Sequence, residues 1–520
     1  MNGERRFAYP SAMPHDALRS RPSLTKILAT LGPASEDERV LAKLVEAGAS
    51  LFRLNFSHGD FDSHLKRLNA VRNVSRALDR PLAVLGDLQG PKIRVGVMPE
   101  GGYDVAMGQE VVISAAATAF SVQDGVPVLP TTYPAMVNEV QPGQRVLIND
   151  GAIRMLAVDS GNGELRCVVK TGGLITSKKG INLPESTLSV PALSDRDWAC
   201  AKWAVEHEID FLALSFVRAG KDVAELNRRL AGLRLEAHDS NTTGGGVPVI
   251  AKIETPQGVA NIDEVLMHAA GIMVARGDLG VEMDLAQVPV VQKRLVARAH
   301  DFGKPCIVAT QMLESMIENA SATRAEVSDV ANAILDGADA VMLSGETAVG
   351  KHPVLAVETM RRVALATEEA IRQMPATARP PVVAQTRRDV VAALAHGAWA
   401  MARDVGAEVI AAWTQTGGTA RHLSRNGFRC PILAFSTDEP SVRRMNLLYG
   451  VMPHLRGDFP KHRFDFAQIV EKIVLDEHWA EPGDRMVLLA GVPFDRPGGA
   501  NTVAIRVVGD LTVSGLTPDG

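Results

Sequence analysis

Cysteine is scarce in these 520 residues: Cys167, Cys200, Cys306 and Cys430 stand far apart. None has the spacing of a zinc site or a redox pair, and no disulfide framework is set out, which suits a reducing compartment such as the cytoplasm. Also missing is any apolar run of the ~18 residues that a membrane span needs. The first two dozen residues hold Arg5, Arg6, Arg19 and Arg21 but no apolar h-region, so they do not read as a secretory signal. Glu4, Asp16, Pro10 and Pro14 make them a floppy tail, with an organellar transit peptide as the other reading. A surplus of positive charge is lacking too. With 55 basic against 60 acidic residues the net charge is −5. That argues against nucleic acid or an anionic membrane as partner, while leaving room for a local basic pocket that binds phosphates.

What is present is an ordinary globular composition, 46% hydrophobic and 22% charged. At ~150 residues per domain the length suggests three or four domains. Short apolar runs recur at 25–31, 50–56, 82–88, 211–216, 248–254, 271–276, 306–310 and 340–344. Amphipathic stretches at 37–46, 194–206, 288–302 and 324–335 lie between them. Ser194 with Asp197 and Thr323 with Glu326 have the capping-box pattern, and Gly48, Gly303 and Gly337 sit where helices would end. Eight near-continuous apolar strands alternating with helices predict an α/β chain built on a parallel (β/α)₈ TIM barrel.

One interval, from Leu88 to Phe211, is too long for a single helix. Strand-like runs at 111–114, 145–148, 153–159 and 165–170, with Gly and Pro turns, predict a β-barrel lid domain inserted after the third strand. A helical stretch at 358–372 and a Pro-rich segment follow, then strand-like runs at 408–413, 431–435, 486–490 and 502–508. The expected division is a tail at 1–23, the barrel at 24–95 and 191–374, the lid at 96–190, a linker at 375–385 and a C-terminal α/β domain at 386–520. No internal repeat has a fixed period.

A barrel of this kind builds its site at the C-terminal ends of its strands. Six of the predicted strands end in polar residues: Arg53, Asn55, Ser57 and His58; Asp87, Lys92 and Arg94; Lys252 and Glu254; Arg276, Gly277 and Asp278; Thr310; and Ser344 with Glu346. Lys252 and Glu254 are two apart and share a face. A lysine among Val249, Ile250, Ala251 and Ile253 is no casual surface charge. A buried structural pair is the plainer reading, but such pairs stabilise weakly. Glu254 and Asp278 are hard oxygen ligands suited to magnesium beside a substrate phosphate; alternatively Asp278 caps its turn. Arg53, Arg94 and Arg276 offer planar forks for phosphate or carboxylate, although a strand-end arginine is more often a structural partner.

Two glycine-rich segments compete for phosphate. The run from Gly345 to Gly350, Lys351 and His352 nearly matches a P-loop, but the required Ser or Thr after the lysine is replaced by His352, with Pro353 next. In the last domain Thr414, Thr416, Gly417 and Thr419 follow a strand and precede a helix. They read equally as a phosphate cradle and as an ordinary turn with Thr419 as N-cap. The loop from Gly491 through Gly498 and Gly499 also follows a strand and carries the same two readings.

The motifs together resemble those of the pyruvate kinase family, over about residues 24 to 510. They are Thr25-Lys-Ile, Thr30-Leu-Gly-Pro-Ala-Ser35, Arg53-Leu-Asn-Phe-Ser-His-Gly59 and Gly86-Asp-Leu-Gln-Gly-Pro-Lys-Ile-Arg94. Ser177-Lys-Lys-Gly-Ile-Asn-Leu-Pro184, Lys252-Ile-Glu254, Met273-Val-Ala-Arg-Gly-Asp-Leu-Gly-Val-Glu282, Ala309-Thr-Gln-Met-Leu-Glu-Ser-Met316 and Met342-Leu-Ser-Gly-Glu-Thr-Ala348 complete the set.

The resemblance implies phosphoryl transfer from phosphoenolpyruvate to ADP, giving pyruvate and ATP. By motif, Lys252 would stabilise the transferring group, Arg53 would bind the phosphate, and Glu254 and Asp278 would hold Mg2+, or Mn2+ in its place. Gly277, Arg276, Thr310 and Ser344 would serve the substrate, with Thr310 on the proton path. Asn55, His58, Arg94, Lys179 and Asp150 would contact the nucleotide. The family's potassium site corresponds to Asn55, Ser57 and Asp87. Here Leu88, Gln89 and Lys92 depart from the potassium-dependent pattern, so an ammonium at Lys92 would replace K+ and make it dispensable. Thr414, Thr416, Gly417 and Thr419 would hold a phosphorylated effector, and the family implies a homotetramer. Two other classes compete with this reading: a metal-dependent pyruvate-enolate lyase or aldolase, and a degenerate effector-binding paralogue. The lyase would need neither lid nor strand-five lysine, and the paralogue would lack Lys252, Glu254 or Asp278.

Overall fold

The structure is a computed structural model that describes residues 22–237, 246–374, 389–494 and 499–510. The expected tail up to residue 21, the linker 375–385 and Gly498 lie outside the described residues. Eight parallel strands close into a barrel: β1 (Lys26–Thr30), β2 (Leu51–Asn55), β3 (Ala83–Asp87), β4 (Phe211–Leu214), β5 (Val249–Ile253), β6 (Gly271–Ala275), β7 (Cys306–Ala309) and β8 (Ala340–Leu343). Each pairs with its sequence neighbour, and β8 pairs with β1. The strands read as continuous apolar runs because both faces are covered. Leu28, Leu51, Leu85, Ile250, Met273 and Ile307 fill the interior. The alternate residues pack outward against the helices.

The helix signals in the sequence act as expected. Ser194 and Thr323 each close a capping box, with Asp197 and Glu326 respectively. Gly48, Gly303 and Gly337 take left-handed φ values of +125°, +68° and +98° just past helix ends, a conformation that a Cβ would strain.

Between β3 and β4 the chain forms a seven-stranded sheet and a separate two-stranded one. Strands Arg145–Ile148, Ile153–Gly161 and Glu164–Thr171 are its antiparallel centre, around a core of Ile113, Val146, Met155 and Val169. Near the C-terminus a five-stranded sheet runs in the order Val451–Leu455, Ile432–Ser436, Ala407–Trp413, Arg485–Ala490, Thr502–Val507. Sequence reading found four of these strands. The fifth, Val451–Leu455, carries Pro453 and lies at the sheet edge, where a missing N–H is tolerated and the apolar pattern is weak.

This last unit docks on the N-terminal end of the barrel. Leu447 enters the barrel's inner core. Arg443 pairs with Asp210 at 2.7 Å, and Arg425 pairs with Asp339, both aspartates buried just before β4 and β8. The C-terminal strand ends are thereby left open toward the inserted sheet. Among the described residues no helix is long and apolar enough to cross a membrane.

Candidate active site

At the open end, buried charges alternate in sign along a row. Arg53 on β2 reaches Asp87, the last residue of β3, through two nitrogens at 2.7 Å. Asp87 lies 3.3 Å from the Lys252 ammonium on β5, which lies 2.9 Å from Glu254. Strands β1 and β4, to which the sequence analysis assigned no site residue although Thr30 opens a quoted motif, contribute as well. Thr30 accepts from Arg53 at 3.3 Å, and Ser215 accepts from Lys252 at 2.7 Å while donating to the Leu88 carbonyl. Glu254 also accepts the Phe216 N–H at 2.6 Å.

The electrostatics follow from burial and neighbours. Burial works against the Lys252 charge, but Asp87 and Glu254 outweigh it and hold the ammonium above the ordinary lysine range. Burial likewise opposes the Asp87 charge, and Lys252 and Arg53 keep its carboxyl below the usual range. For Glu254 burial prevails: despite Lys252, and helped by Asp278, its pKa is pushed up to about 7. Its buried Oε1 meets the Lys252 ammonium at 2.9 Å, a charge that Asp87 shares. A buried carboxylate whose pKa stays raised beside a shared ammonium is short of positive charge. That fits a divalent cation sharing Glu254, Asp278, substrate oxygens and water. Among the described residues no cluster of three or more His, Cys, Asp or Glu could cage a metal by itself.

The turn after β7 is strained. Thr310 has φ +70° and Gln311 +53°, and for a β-branched residue this backbone costs ~1–3 kcal/mol. The turn is held by Thr310 Oγ1, which accepts the Gly277 N–H at 2.7 Å and donates to the Ala309 carbonyl at 2.6 Å. Arg276 does not offer a free fork to the mouth. Its guanidinium donates to Asp329 at 2.7 Å and to the Thr310 carbonyl at 2.9 Å, so it stitches the strained turn in place. Ser344 gives its N–H to Glu346 at 2.7 Å, and its buried hydroxyl makes no hydrogen bond. Asp278 sits in the first turn of the helix Arg276–Glu282 and makes no cap there; the N-cap position is Ala275.

A cleft of about 480 Å³ runs between the barrel mouth and the inserted sheet, lined by Lys92, Arg94, Asp150, Lys179, Asp278 and Glu282. It gathers three of the five nucleotide candidates. Asn55, which ends β2, and His58, on the loop after it, are not among its lining residues; Asn55 accepts the Ser57 N–H at 3.1 Å, closing a local turn. The expected monovalent set does not converge as free oxygens, since Asp87 is taken up by Arg53 and Lys252. Burial and then Arg94 lower the Lys92 pKa, while Asp278 and Glu254 draw it upward. Its ammonium therefore senses the same two acids that fit a metal.

The two glycine-rich segments resolve differently. The P-loop reading fails: Lys351 turns to the surface and pairs with Glu318, and the Gly350 N–H donates to Gly345 within the turn, so no backbone cradle opens. In the C-terminal sheet Gly417, at φ +77°, is the N-cap of the helix Gly418–Ser424, which corrects the reading of Thr419 as cap. Thr419 lies inside the helix and gives its N–H to the Thr414 hydroxyl at 3.3 Å; Thr416 is exposed. Sequence reasoning missed Ser215, Asn182 and Glu282. The last two lie within quoted motifs, and Asn182 donates to Glu282 at 2.7 Å across the cleft. Burial pushes the Glu282 pKa up to about 7.

Comparison with known proteins agrees with this geometry. The family model for the pyruvate kinase barrel domain matches residues 23–357, and that for the pyruvate kinase alpha/beta domain matches 392–506. The chain belongs to the pyruvate kinase family. It is accordingly a phosphotransferase. Its relatives include the pyruvate kinase of Mycobacterium tuberculosis, 41% identical over 495 residues, covering 93% of this chain and 98% of the relative. That of Geobacillus stearothermophilus is 38% identical over 497 residues, covering 94% and 81%. A crystal structure of a pyruvate kinase from Cryptosporidium parvum superposes with a TM-score of 0.85 at 32% identity, covering 95% of this chain and 98% of that one. The closed barrel, the inserted sheet and the C-terminal α/β unit are thus the family's architecture carried by this sequence.

Proposed function

We propose that the protein transfers the phosphoryl group of phosphoenolpyruvate to ADP, with a divalent cation at Glu254 and Asp278. The carrying observation is the buried row Arg53–Asp87–Lys252–Glu254 at the barrel mouth, close enough to the cleft residues Asp278 and Lys92 to act on them electrostatically, in a cleft that also holds Arg94 and Lys179. Phosphoryl transfer asks for charge neutralisation and alignment more than covalent chemistry. In the reaction an ADP oxygen forms the new bond to phosphorus, and the bond to the enol oxygen breaks, leaving its electron pair there. The enolate then takes a proton at its methylene carbon.

Lys252 neutralises charge on the transferring group, and Asp87 and Ser215 fix where its ammonium sits. Arg53 holds the phosphate. Gly277 and Thr310 align the carboxylate, and the Thr310 hydroxyl lies on the proton path. Arg94, Lys179 and Asp150 bring the nucleotide in beneath the lid, while Asn55 and His58 meet it from the β2 loop; the closed cleft keeps water from competing as acceptor. Bound Mg2+, or Mn2+, would add charge neutralisation at the phosphate and enolate oxygens. A phosphorylated effector at Thr414, Thr416, Gly417 and Thr419, a homotetrameric state and a cytoplasmic location complete this reading.

The test is pyruvate release from phosphoenolpyruvate and ADP. Turnover with magnesium, abolished by EDTA and restored by added magnesium, is the expected result. Folded protein that gives no pyruvate after an effector screen overturns the reading. A second expectation concerns potassium. Lys92 supplies a positive charge near Glu254 and Asp278, so gel-filtered enzyme in sodium-only buffer should turn over about as fast as in potassium. Dead enzyme revived by potassium would refute the Lys92 substitution and leave the kinase standing.

A further inference from the structure

The helix Arg276–Glu282 is only seven residues long, and its two ends do different work. Its first turn carries Gly277 and Asp278. Its last residue, Glu282, is 6% exposed, and its Oε1 accepts the Asn182 side-chain N–H at 2.7 Å. Asn182 belongs to the short strand Ile181–Asn182, which pairs with Arg145–Ile148 inside the inserted sheet. That same strand leads into Asn149, Asp150 and Gly151, all with left-handed φ, at +55°, +53° and +79°. A Cβ on Gly151 would lie 3.5 Å from a methyl of Val281. The inserted sheet therefore meets this helix at two successive residues, Val281 and Glu282. The return segment is tied elsewhere: Gln257 reaches the Pro184 carbonyl at 3.2 Å, and Arg218 reaches those of Leu188 and Val190.

We propose that Glu282 is a positioning residue that seats the lid, through Asn182, on the helix presenting Gly277 and Asp278. It touches neither substrate nor metal in this scheme. Because one rigid turn and a half of helix joins the seat to the substrate end, lid position and site geometry become a single mechanical unit. An acceptor buried at this point is costly to leave unpaired, so the hydrogen bond favours one lid pose over a spread of them. The inference deepens the phosphotransfer reading: the closed pose is the one in which Asp150 and Lys179 complete the nucleotide cleft.

The test is a double-mutant cycle of Glu282→Ala and Asn182→Ala in the full-length protein, with Glu282→Gln as the conservative variant. Each single alanine should raise KM for ADP about ten-fold, the scale of one buried hydrogen bond, with KM for phosphoenolpyruvate within about two-fold of normal. The double variant should be no worse than either single. Glu282→Gln, which keeps an acceptor for Asn182, should recover most of the lost affinity. Hydrogen exchange in the absence of substrates gives a second reading. The amides of 149–151 and 181–182 should lose protection in Glu282→Ala, while β5 and β6 keep theirs. Strictly additive effects, a change confined to phosphoenolpyruvate, or unaltered exchange at 149–151 and 181–182 would overturn the seat. Wild-type protein that makes no pyruvate would instead overturn the functional reading, and the exchange comparison would still decide the seat. Should Glu282→Ala fail to fold, Asn182→Ala and Asn182→Asp carry the test from the lid side.

Discussion

Lys252→Met is expected to lower kcat for pyruvate formation by ~10²-fold or more, the scale for removing one preorganised charge from a reacting centre. The ammonium is held on three sides, by Asp87, Glu254 and Ser215, so it cannot be replaced by a mobile solvent cation in the same place. The fold should survive the change. Asp87 keeps its two Arg53 contacts, and Glu254 keeps the Phe216 N–H. With its pKa already raised to about 7, Glu254 can take up a proton once the lysine is gone, so no unpaired buried anion remains. Methionine fills the same channel between strands without adding volume. Turnover measured at saturating phosphoenolpyruvate and ADP, beside a thermal midpoint within a few degrees of wild type, is the check. Near-normal turnover would remove Lys252 from the transfer step. Collapse of the midpoint would show instead that the row of charges is chiefly a structural device.

The parts of this architecture that the sequence made legible share a physical reason. Strands buried on both faces show as unbroken apolar runs, and the eight barrel strands were found on that basis. Capping boxes at Ser194 and Thr323 are local in sequence, so their meaning does not depend on the tertiary fold. Charged residues at strand ends were visible because Lys252 and Glu254 interrupt an apolar run. What stayed hidden depends on direction or on distance along the chain. Arg276 was recognisable as a planar fork, but its turn toward Asp329 and the Thr310 carbonyl is set by the neighbouring strand. Ser215 is a single hydroxyl with no pattern around it. Asn182 and Glu282 are 100 residues apart, and only the folded lid brings them together. The strain at Thr310 is a backbone property that residue type does not announce.

Asp339→Ala is expected to destabilise the folded chain by about 3–5 kcal/mol, the range for breaking a buried ion pair and stranding one partner. Asp339 has no exposed surface and serves four donors. It accepts both terminal nitrogens of Arg425, the Cys306 N–H at 2.9 Å and the Tyr449 N–H at 3.1 Å. Cys306 opens β7, Tyr449 belongs to the turn that carries Leu447 into the barrel, and Arg425 follows the helix Gly418–Ser424. One carboxylate therefore joins the base of the barrel to the C-terminal sheet, and alanine would leave a buried guanidinium without its counter-ion, held only by the Lys304 carbonyl and the Ser424 hydroxyl. A surface pair such as Lys66–Glu36, at 3.5 Å and largely solvated, should by contrast be worth under ~1 kcal/mol. Adding Arg425→Met should recover much of the loss, because the stranded charge goes with it. Urea midpoints for the two single variants and the double give the coupling directly. An unchanged midpoint in Asp339→Ala would mean that the Arg443–Asp210 pair and the apolar packing around Leu447 hold the two units without it. Since this joint lies at the end of the barrel opposite the cleft, any fall in kcat that accompanies the loss of stability would have to travel through the strands themselves. A fall in kcat without a shift in midpoint would make the joint a carrier of signals from the C-terminal unit, not only a fastening.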